Sequence, residues 1–301
     1  MDTERTVVAG VRSALTAACP SLRDGEPADA VGGLVPSFVG SPASTQEAAA
    51  LLRAAASAGL AVVPRGTGTG LGWGLAPSAC DLVVDLRAMD QVIEHAAGDL
   101  VVRVQAGATM GHLASVLATA GQQLALDAPA EATVGGVIAS GTAGPRRLRY
   151  GSPRDLLIGV TAVRADGVVA HAGGKVVKNV AGYDIGKLLA GSQGTLALIT
   201  EATFRLHPVP EAVAYVTAEF GPSQRPAAQF APVFCAGAAG RRAGRGHLLR
   251  RGRTSQADVG AAGVGGRRPS GGRGRRTAAA VGAAALPWHG DPGDVLGGPP
   301  G

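Results

Sequence analysis

An α+β fold is predicted for residues 1–224, and no regular fold is predicted for the rest of the chain. Two stretches, 4–18 and 44–58, carry apolar residues at helical spacing. Short runs rich in β-branched residues, among them 82–86, are typical of strands, and two pairs of such runs flank turn residues as in hairpins. Residues 226–301 hold 18 glycines and only 12 large apolar residues and show neither period, so they offer too little apolar surface to offset the entropy of ordering.

The N-terminal part predicts a strand–helix–strand arrangement behind a first helix. Residues 35–39 form a short extended segment. Ser44 and Glu47 have the spacing of a capping box, in which a serine caps a helix and a glutamate three residues later reaches back to it. The helix that follows is expected to end at Gly59, and residues 60–63 then form a strand.

That strand leads into the sequence V-V-P-R-G-T-G-T-G-L-G-W-G at 62–74, in which glycine occupies every second position from Gly66 to Gly74. Glycine reaches positive φ without steric cost and leaves no side chain between the backbone and a ligand. Consecutive N–H groups freed in this way can form a concave nest for an anion. The loop is therefore interpreted as a cradle for the pyrophosphate of a nucleotide cofactor, and the alternative is a flexible surface loop.

Two other phosphate-binding motifs do not fit this loop. A P-loop requires Gly-Lys followed by Ser or Thr, and no lysine follows these glycines. A Rossmann fingerprint requires its glycines to open a helix, whereas Gly72, Gly74 and Pro77 oppose a helix here. Asp85 stands near the position of a ribose-binding acid, but one acid at a plausible distance is weak support.

The middle of the chain predicts two hairpins around a second stretch with glycines. Residues 92–105 form the first hairpin, and a helix over 108–120 follows. The second stretch contains A-P-A-E-A-T-V-G-G-V-I-A-S-G-T-A-G and R-Y-G-S-P-R-D-L-L-I-G-V, in which Gly135 and Gly136 permit close approach by a ligand or a tight turn. The second hairpin spans 157–171, with an Asp-Gly turn between its strands.

A third stretch, 173–208, reads G-G-K-V-V-K-N-V-A-G-Y-D-I-G-K-L-L-A-G-S-Q-G-T-L-A-L-I-T-E-A-T-F-R-L-H-P. Gly191, Ser192 and Gly194 predict a turn, and a β-rich strand follows it. Backbone groups of such a strand can contact the edge of an adenine or flavin ring. The lysines in this stretch, which are Lys175, Lys178 and Lys187, are explained as well by a solvent-exposed face as by a role in binding.

The three stretches resemble, in this order, the FAD-binding domain of the PCMH type, also called vanillyl-alcohol oxidase-like. P-R-G-x-G-T-G is similar to its first pyrophosphate loop, and T-x-G-G-x-I-A…R-Y-G…R-D to its flavin-binding segment. The motif K-N-V-A-G-Y-D…G-S-x-G-T-L-x-x-I-T-E is most similar to the small FAD-binding subunit of bacterial glycolate oxidase. The family often has asparagine near Ser140, so the chain departs from the pattern there.

The resemblance covers roughly residues 30–220 and implies two subdomains, each a small sheet with helices, with FAD between them. The residues that match its cofactor-binding motifs are Pro64, Arg65, Gly66, Thr67, Gly68, Thr69, Gly70, Thr133, Gly135, Gly136, Ala139, Ser140, Gly144, Tyr150, Gly151, Arg154, Asp155, Gly194 and Ile199. FAD is expected to bind non-covalently, because Thr69 stands where family members that attach the flavin to this loop carry histidine.

The activity that the resemblance implies is that of the FAD-binding subunit of a glycolate oxidase-like complex, which oxidises a small 2-hydroxy acid. Electrons would pass through the flavin to other subunits of the complex, including an Fe–S electron acceptor, because the chain has no Fe–S ligand set. No metal site is expected. No catalytic base is assigned, because none of the histidines His95, His112, His171 and His207 lies in a motif that requires that role.

Two alternatives stay open. The first is a stand-alone FAD-dependent oxidase or lactate-type dehydrogenase of the same superfamily, which would need a complete cap domain. The second is a nucleic-acid binder that uses the Arg/Gly-rich C-terminal residues. Nucleic acid is not expected as a partner, because that class leaves the three motifs unexplained and the C-terminal residues lack interleaved aromatic side chains.

Composition predicts a cytoplasmic protein. The alternative expectation is a peripheral position at the inner membrane, where partner subunits would hold it. No apolar run of 18 residues predicts a transmembrane segment, and the first residues lack the pattern of a secretory signal. The three cysteines, Cys19, Cys80 and Cys235, form no ligand set and no disulfide framework.

The predicted domains are an N-terminal helix at 1–29, an FAD-binding PCMH-type domain at 30–210, the start of a cap domain at 211–224 and a low-complexity Arg/Gly/Ala tail at 225–301. Residues 1–224 carry 16 Lys and Arg against 19 Asp and Glu, whereas the tail carries 12 Arg, no Lys and 3 Asp. The net charge thus changes from −3 to +9 where the resemblance ends. We therefore expect the tail to be the product of a reading-frame shift, with the cap domain truncated and the tail disordered.

Overall fold

The fold is described from a computed structural model, which covers residues 2–174 and 184–211, with side chains from residue 9 onward. The motif K-V-V-K-N-V-A-G-Y, the remainder of the predicted cap start and the Arg/Gly/Ala tail lie outside the described residues. The predictions for Lys175, Lys178 and the frame-shifted tail therefore stay predictions.

Helices and strands alternate along the described chain, as the sequence predicts. The α-helices are α1 (Asp2–Ala18), α2 (Thr45–Ser57), α3 (Met110–Ala118), α4 (Val134–Ser140), α5 (Arg147–Tyr150), α6 (Pro153–Leu156) and α7 (Ile185–Leu189). The strands are β1 (Arg23–Asp24), β2 (Phe38–Gly40), β3 (Val62–Arg65), β4 (Leu82–Asp85), β5 (Val92–Ala96), β6 (Val101–Gln105), β7 (Gln122–Gln123), β8 (Leu157–Val163), β9 (Val169–Gly173), β10 (Leu198–Arg205) and β11 (His207–Pro208).

The first sheet contains four strands in the order β1-β2-β4-β3, and β2, β4 and β3 run parallel. Its central strand β4 is buried along its whole length. Leu82 and Val84 belong to the main core, whereas Val83 packs in a smaller cluster with Val31 and Val39 on the other face. A parallel strand covered on both faces reads as a continuous apolar run, which is the pattern L-V-V in this sequence.

The second sheet is antiparallel and contains five strands in the order β5-β6-β10-β8-β9. Both predicted hairpins are confirmed, as β5–β6 and β8–β9. Gly167 has φ +76 in the second turn, whereas in the first turn the positive φ falls on Leu100 rather than on Gly98. Phe204 on the central strand β10 is almost fully buried and anchors the main core. A small third sheet pairs β7 with β11.

Helix α2 lies between β2 and β3 of the first sheet in the chain and packs against β8 and β10 of the second sheet. The Ser44 hydroxyl accepts a hydrogen bond from the N–H of Glu47, as predicted for a helix cap. The Glu47 carboxylate, however, accepts from the N–H of Ala43 and not from that of Ser44, so the reciprocal half of the predicted capping box is displaced by one residue. At the same end, the Thr45 hydroxyl donates to that of Thr200 on β10 at 3.0 Å, in a buried contact.

The prediction of an α+β fold with two sheets and helices is confirmed. Three local expectations need correction. The strand expected at 60–63 begins two residues later, because residues Leu60 and Ala61 first leave the helix through the left-handed Gly59. The helix expected over 108–120 spans only Met110–Ala118, after its cap Thr109. Of the two expectations for Gly135 and Gly136, close approach by a ligand or a tight turn, the tight turn is wrong, because the pair lies in the first turn of α4.

Candidate cofactor-binding cleft

The three sequence stretches meet in one cleft, with the first sheet on one side and the second sheet on the other. Each stretch contributes to the lining, although the lining residues of one stretch are more than 50 positions from those of the next. The lining residues are Pro64, Arg65, Gly66, Gly68, Thr69, Gly70, Leu71, Leu86, Ala106, Thr133, Gly135, Gly136, Ala139, Ser140, Gln193, Gly194, Ala197, Leu198 and Ile199. Most of the residues predicted from the sequence to bind a cofactor are therefore in one place.

The glycine-rich loop begins where β3 ends at Arg65, and no helix follows it. Of its alternate glycines, Gly68 and Gly74 have positive φ, near +87 and +88, so only these two positions require glycine for backbone conformation. The loop turns back on itself through hydrogen bonds from the N–H of Leu71 to the Gly68 carbonyl and from the N–H of Trp73 to the Gly70 carbonyl.

The N–H groups of residues 66–70 face no protein acceptor. In the described part of the chain none of these five N–H groups donates a hydrogen bond. Backbone donors left without a partner in a folded protein normally bind water or a ligand. Successive unpaired N–H groups beside an open cleft fit a phosphate anion, which is the cofactor part that the sequence predicts here.

The opposite wall is formed by the start of α4, which touches the loop closely. A Cβ atom on Gly66 would lie 2.2 Å from Oγ1 of Thr133, so only glycine fits at this contact. Thr133 caps α4 by accepting from the N–H of Gly136, and Thr67 donates from its hydroxyl to the Glu131 carbonyl at 2.8 Å. These contacts bring the loop and the second stretch together.

Backbone hydrogen bonds fix this second wall. The N–H of Gly135 donates to the Ala106 carbonyl at 2.8 Å, and a Cβ atom on Gly135 would lie 2.9 Å from that of Ala106. The third stretch is attached in the same way, because the N–H of Gln193 donates to the Ala139 carbonyl at 2.8 Å. Gln193 and Gly194 both have positive φ, which confirms the predicted turn before β10.

The side chains of Arg65 and Asp85 form ion pairs within the protein, which argues against Arg65 as a phosphate ligand and against Asp85 as a ribose ligand. The guanidinium of Arg65 donates to the carboxylates of Asp29 and Asp85, and its side chain is 11% exposed. Asp85 is buried and also accepts from Arg87, so its carboxylate is occupied. Burial alone would raise the pKa of Asp85, but the hydrogen bonds from Arg87 and Arg65 outweigh it and hold that pKa below its usual range.

Six predicted residues do not line the cleft, which are Thr67, Gly144, Tyr150, Gly151, Arg154 and Asp155. Asp155 instead accepts from the N–H and hydroxyl of Ser152 at the start of α6, and these two hydrogen bonds lower its pKa. The ring of Tyr150 meets that of His207 edge-on at 4.8 Å between centroids and lies under the guanidinium of Arg146. At the five positions other than Thr67 the sites stay predictions that the described cleft does not support, whereas Thr67 still offers its backbone N–H within the series 66–70.

The sequence motifs missed several lining residues. Leu86 and Ala106 come from the ends of β4 and β6, and neither position carries a motif. Leu71, Gln193, Ala197 and Leu198 lie inside the recognised stretches but have ordinary side chains. Gln193 could have been identified from the sequence, because it lies within the predicted turn G-S-Q-G.

No described histidine lines the cleft. His95 bonds Gln122, and His171 bonds Thr161, at 2.9 and 3.1 Å. His207 has a buried Nδ1 without a hydrogen-bond partner. Burial lowers the pKa of His207, and the arginines Arg205, Arg146 and Arg149 lower it further.

Comparisons with known proteins agree with the cofactor that the sequence predicts. A family model described as an FAD binding domain matches residues 36–173. Three relatives are a probable mitochondrial D-lactate dehydrogenase of Danio rerio, glycolate oxidase subunit GlcD of Bacillus subtilis and glycolate oxidase subunit GlcE of Escherichia coli. Their identities are 36% over 188 residues, 36% over 179 and 37% over 132, which are 62%, 59% and 43% of this chain. A solved structure of alkyldihydroxyacetonephosphate synthase superposes with a TM-score of 0.51 at 26% identity, over 59% of this chain and 35% of that one.

The chain spans 38% of the length of each of these three relatives. Residues 36–173 match an FAD-binding domain, in agreement with the predicted PCMH-type fold, and they include the first two stretches of the cleft. The unpaired N–H groups of the glycine loop and the apolar lining fit FAD. Among the described residues, none of the helices has both the length and the apolar character needed to cross a membrane.

Proposed function

We propose that this chain is the FAD-binding subunit of an oxidoreductase complex that acts on a small 2-hydroxy acid, as glycolate oxidase does. One observation supports this most strongly. Three separate stretches, two of which lie within the residues that match an FAD-binding domain, converge on a single cleft whose rim offers five N–H groups without an acceptor among the described residues. Relatives named as glycolate oxidase subunits and D-lactate dehydrogenase support the 2-hydroxy-acid class of substrate.

In this proposal the two walls of the cleft hold different parts of the cofactor. The N–H groups of residues 66–70 bind the pyrophosphate, and the apolar side chains of Ala139, Ala197, Leu198 and Ile199 contact its rings. Bound FAD would supply the acceptor for the hydride that leaves the substrate α-carbon. These apolar side chains would keep water away from the rings. Among the described residues, the lining contains one ionisable side chain, that of Arg65.

The acid–base group that takes the hydroxyl proton is assigned to residues beyond this lining. The guanidinium of Arg65 offers only hydrogen-bond donors and is already paired with two carboxylates, so it cannot serve as a base. Other subunits of the complex, including an Fe–S electron acceptor, are proposed to complete the site and remove the electrons. The complex is proposed to work in the cytoplasm or at the inner face of the membrane.

FAD is proposed to bind non-covalently. Attachment to the protein needs a nucleophilic side chain such as histidine or cysteine near the flavin, and the described lining contains neither. Thr69 occupies the loop position where a histidine anchor is expected by resemblance. Acid precipitation of the purified protein should leave all flavin in the supernatant, and flavin that stays in the pellet would contradict this part of the proposal.

A stand-alone D-lactate-type dehydrogenase is the second candidate, favoured by the similarity to the Danio rerio enzyme. The two candidates differ in what the purified full chain does by itself. Anaerobic addition of glycolate, D-lactate or L-lactate to the isolated flavoprotein should leave the flavin oxidised if partners complete the site. Bleaching by the isolated chain favours the stand-alone enzyme, and no bleaching in the presence of the co-purified partners contradicts both.

A further inference from the structure

Arg65 is the last residue of β3, immediately before the glycine loop, and its side chain joins two carboxylates from distant parts of the chain. Its Nη2 atom lies 2.9 Å from Oδ1 of Asp29 and 3.0 Å from Oδ2 of Asp85. Asp29 ends the short 3₁₀ turn Pro27–Asp29, and Asp85 ends β4 beside β3. One guanidinium therefore connects the N-terminal segment, the parallel sheet and the start of the loop.

Each carboxylate also has a second arginine. Arg23 binds Asp29 through two nitrogens at 2.6 and 2.8 Å, and Arg87 binds Asp85 with its closest nitrogen at 2.7 Å. The side chains of Asp29 and Asp85 are only 6% and 3% exposed. Burying a charge is unfavourable unless it is paired and fully hydrogen-bonded, and both carboxylates meet that condition.

The carboxylates stay ionised in this setting. The hydrogen bond from Arg23 lowers the pKa of Asp29, burial opposes that effect, and Arg65 lowers the pKa again. The network therefore persists at neutral pH as two carboxylates held between three guanidinium groups. Removing one member leaves a buried charge without its partner, which is costly in proteins.

The loop that follows has few ties of its own. Its hydrogen bonds to the rest of the described chain reduce to one from the Thr67 hydroxyl to the Glu131 carbonyl. Gly66, the first residue of the loop, packs so closely on Thr133 that a Cβ atom there would lie 2.2 Å from Oγ1. It directly follows Arg65, whose backbone pairs with Asp85 in the β3–β4 ladder and whose side chain binds Asp29 and Asp85. A shift of Arg65 is therefore expected to move the start of the loop.

We propose that Arg65 is a positioning residue for the cofactor: it holds the glycine loop in its binding shape through Asp29 and Asp85, and it does not act as a direct partner of the phosphates. This inference rests on FAD binding to the cleft. The competing assignment is a direct ion pair with a cofactor phosphate, since Arg65 also lines the cleft. The two assignments differ in which other residues share the effect.

The experiment measures FAD affinity of the full-length apoprotein by quenching of flavin fluorescence, with thermal unfolding of each apo variant in parallel. Arg65→Met, Asp85→Asn and the double variant form a mutant cycle. We expect each single change to weaken FAD binding by about 10-fold or more, and the double change to add less than roughly threefold to the worse single change. Additive effects would overturn the inference, since they would mean that Arg65 and Asp85 act separately.

Arg65→Lys separates the two assignments further. Lysine keeps a point charge that suits a phosphate, but it does not reproduce the planar donor geometry that binds two carboxylates. We expect Arg65→Lys to lose FAD affinity as Arg65→Met does, with an unchanged dependence on ionic strength. Retained affinity in Arg65→Lys, together with a weaker salt dependence in Arg65→Met, would assign Arg65 to the phosphate and overturn the inference.

Arg87→Met keeps the test valid if Arg65→Met fails to fold, because the Arg87 side chain is 58% exposed and does not line the cleft. We expect it to weaken FAD binding through Asp85, whereas a direct contact by Arg65 predicts no effect. Arg103→Met is the matched control, because its ion pair with Glu201 lies in the second sheet, away from the cleft lining. A parent chain that binds no FAD would refute the cofactor site itself, whereas a binding parent with unaffected variants would refute only this inference.

Discussion

The two walls of the cleft are built by different means. On the side of the parallel sheet, the glycine loop has unpaired N–H groups and depends on an ion-pair network at its base. On the side of the antiparallel sheet, backbone hydrogen bonds attach α4 to β6 and the Gln193 turn to α4. The comparison teaches that the glycine loop, here called the binding wall, has few ties to the rest of the described chain, whereas the α4 side, here called the supporting wall, is fixed by backbone hydrogen bonds. Changes in the loop itself should therefore mainly alter affinity, and changes at the backbone contacts of the supporting wall should mainly alter stability.

The largest effect on the binding wall is expected from Gly68→Val. Gly68 has φ near +87, a conformation that a β-branched residue strongly disfavours. A loop that relaxes to relieve roughly 1–3 kcal/mol of strain displaces its N–H groups, which should weaken FAD binding by about 100-fold. Fluorescence titration with FAD measures the loss, and the unfolding temperature of the apoprotein should change little.

Gly72→Ala is the control for that variant. Gly72 belongs to the same alternating series, but it has no positive φ and a Cβ atom there would meet nothing within 4 Å. Its FAD affinity should equal that of the parent. Equal affinity in Gly68→Val would show that this loop does not hold the cofactor.

The supporting wall is tested by Gly135→Ala. The added methyl group would lie 2.9 Å from the Cβ atom of Ala106 and 3.2 Å from its carbonyl oxygen. Overpacking of this kind should lower the free energy of unfolding by about 1–3 kcal/mol, as measured by urea denaturation of the apoprotein. If Gly135→Ala changed only FAD affinity, the division of labour between the two walls would be wrong.

The ion-pair network predicts how stability depends on pH. The pKa values of Asp29 and Asp85 are lower in the folded chain than the ordinary aspartate value of about 3.9. Their contribution is therefore complete above that value and is lost as pH falls through the lowered folded pKa values. Urea denaturation between pH 5 and pH 2 should show stability falling as the pH drops below about 4, with a flatter profile in Asp85→Asn. Asp24→Asn, in the exposed ion pair with Arg12, should leave the profile unchanged.

The smallest expected effect lies outside both walls. Ser44→Ala removes the hydroxyl that accepts from the N–H of Glu47 at the start of α2. Loss of such a cap should lower the free energy of unfolding by about 1 kcal/mol and leave FAD affinity unchanged. A change in affinity would show that α2 transmits strain to the cleft through the contact between Thr45 and Thr200.

Local signals in the sequence predicted local features well. The cap at Ser44, the Asp-Gly turn before β9 and the glycine loop each follow from residues a few positions apart. The spacing of the glycines did not show which of them have positive φ, since only the fold around them decides between Gly68 and Gly70.

Long-range features were out of reach for the same reason. Asp29 and Arg65 are 36 residues apart, and no spacing rule links an arginine of one motif to an aspartate outside every motif. Leu86 and Ala106 reach the cleft because their strands end there, which depends on sheet order. Residues 144–155 were assigned to the site by resemblance, but the described structure uses Tyr150 and Asp155 in local packing and capping.

Trp73 has a practical consequence. It sits on the glycine loop, about half exposed, and the position of a Cβ atom on Gly70 would be 4.0 Å from its ring. The chain has just one other tryptophan, Trp288. A Trp288→Phe variant would thus emit from a single indole on the glycine loop, next to Gly70 of the cleft lining. Energy transfer from that indole to bound flavin would quench its fluorescence, so the intensity of tryptophan emission would report the fraction of chains that hold the cofactor.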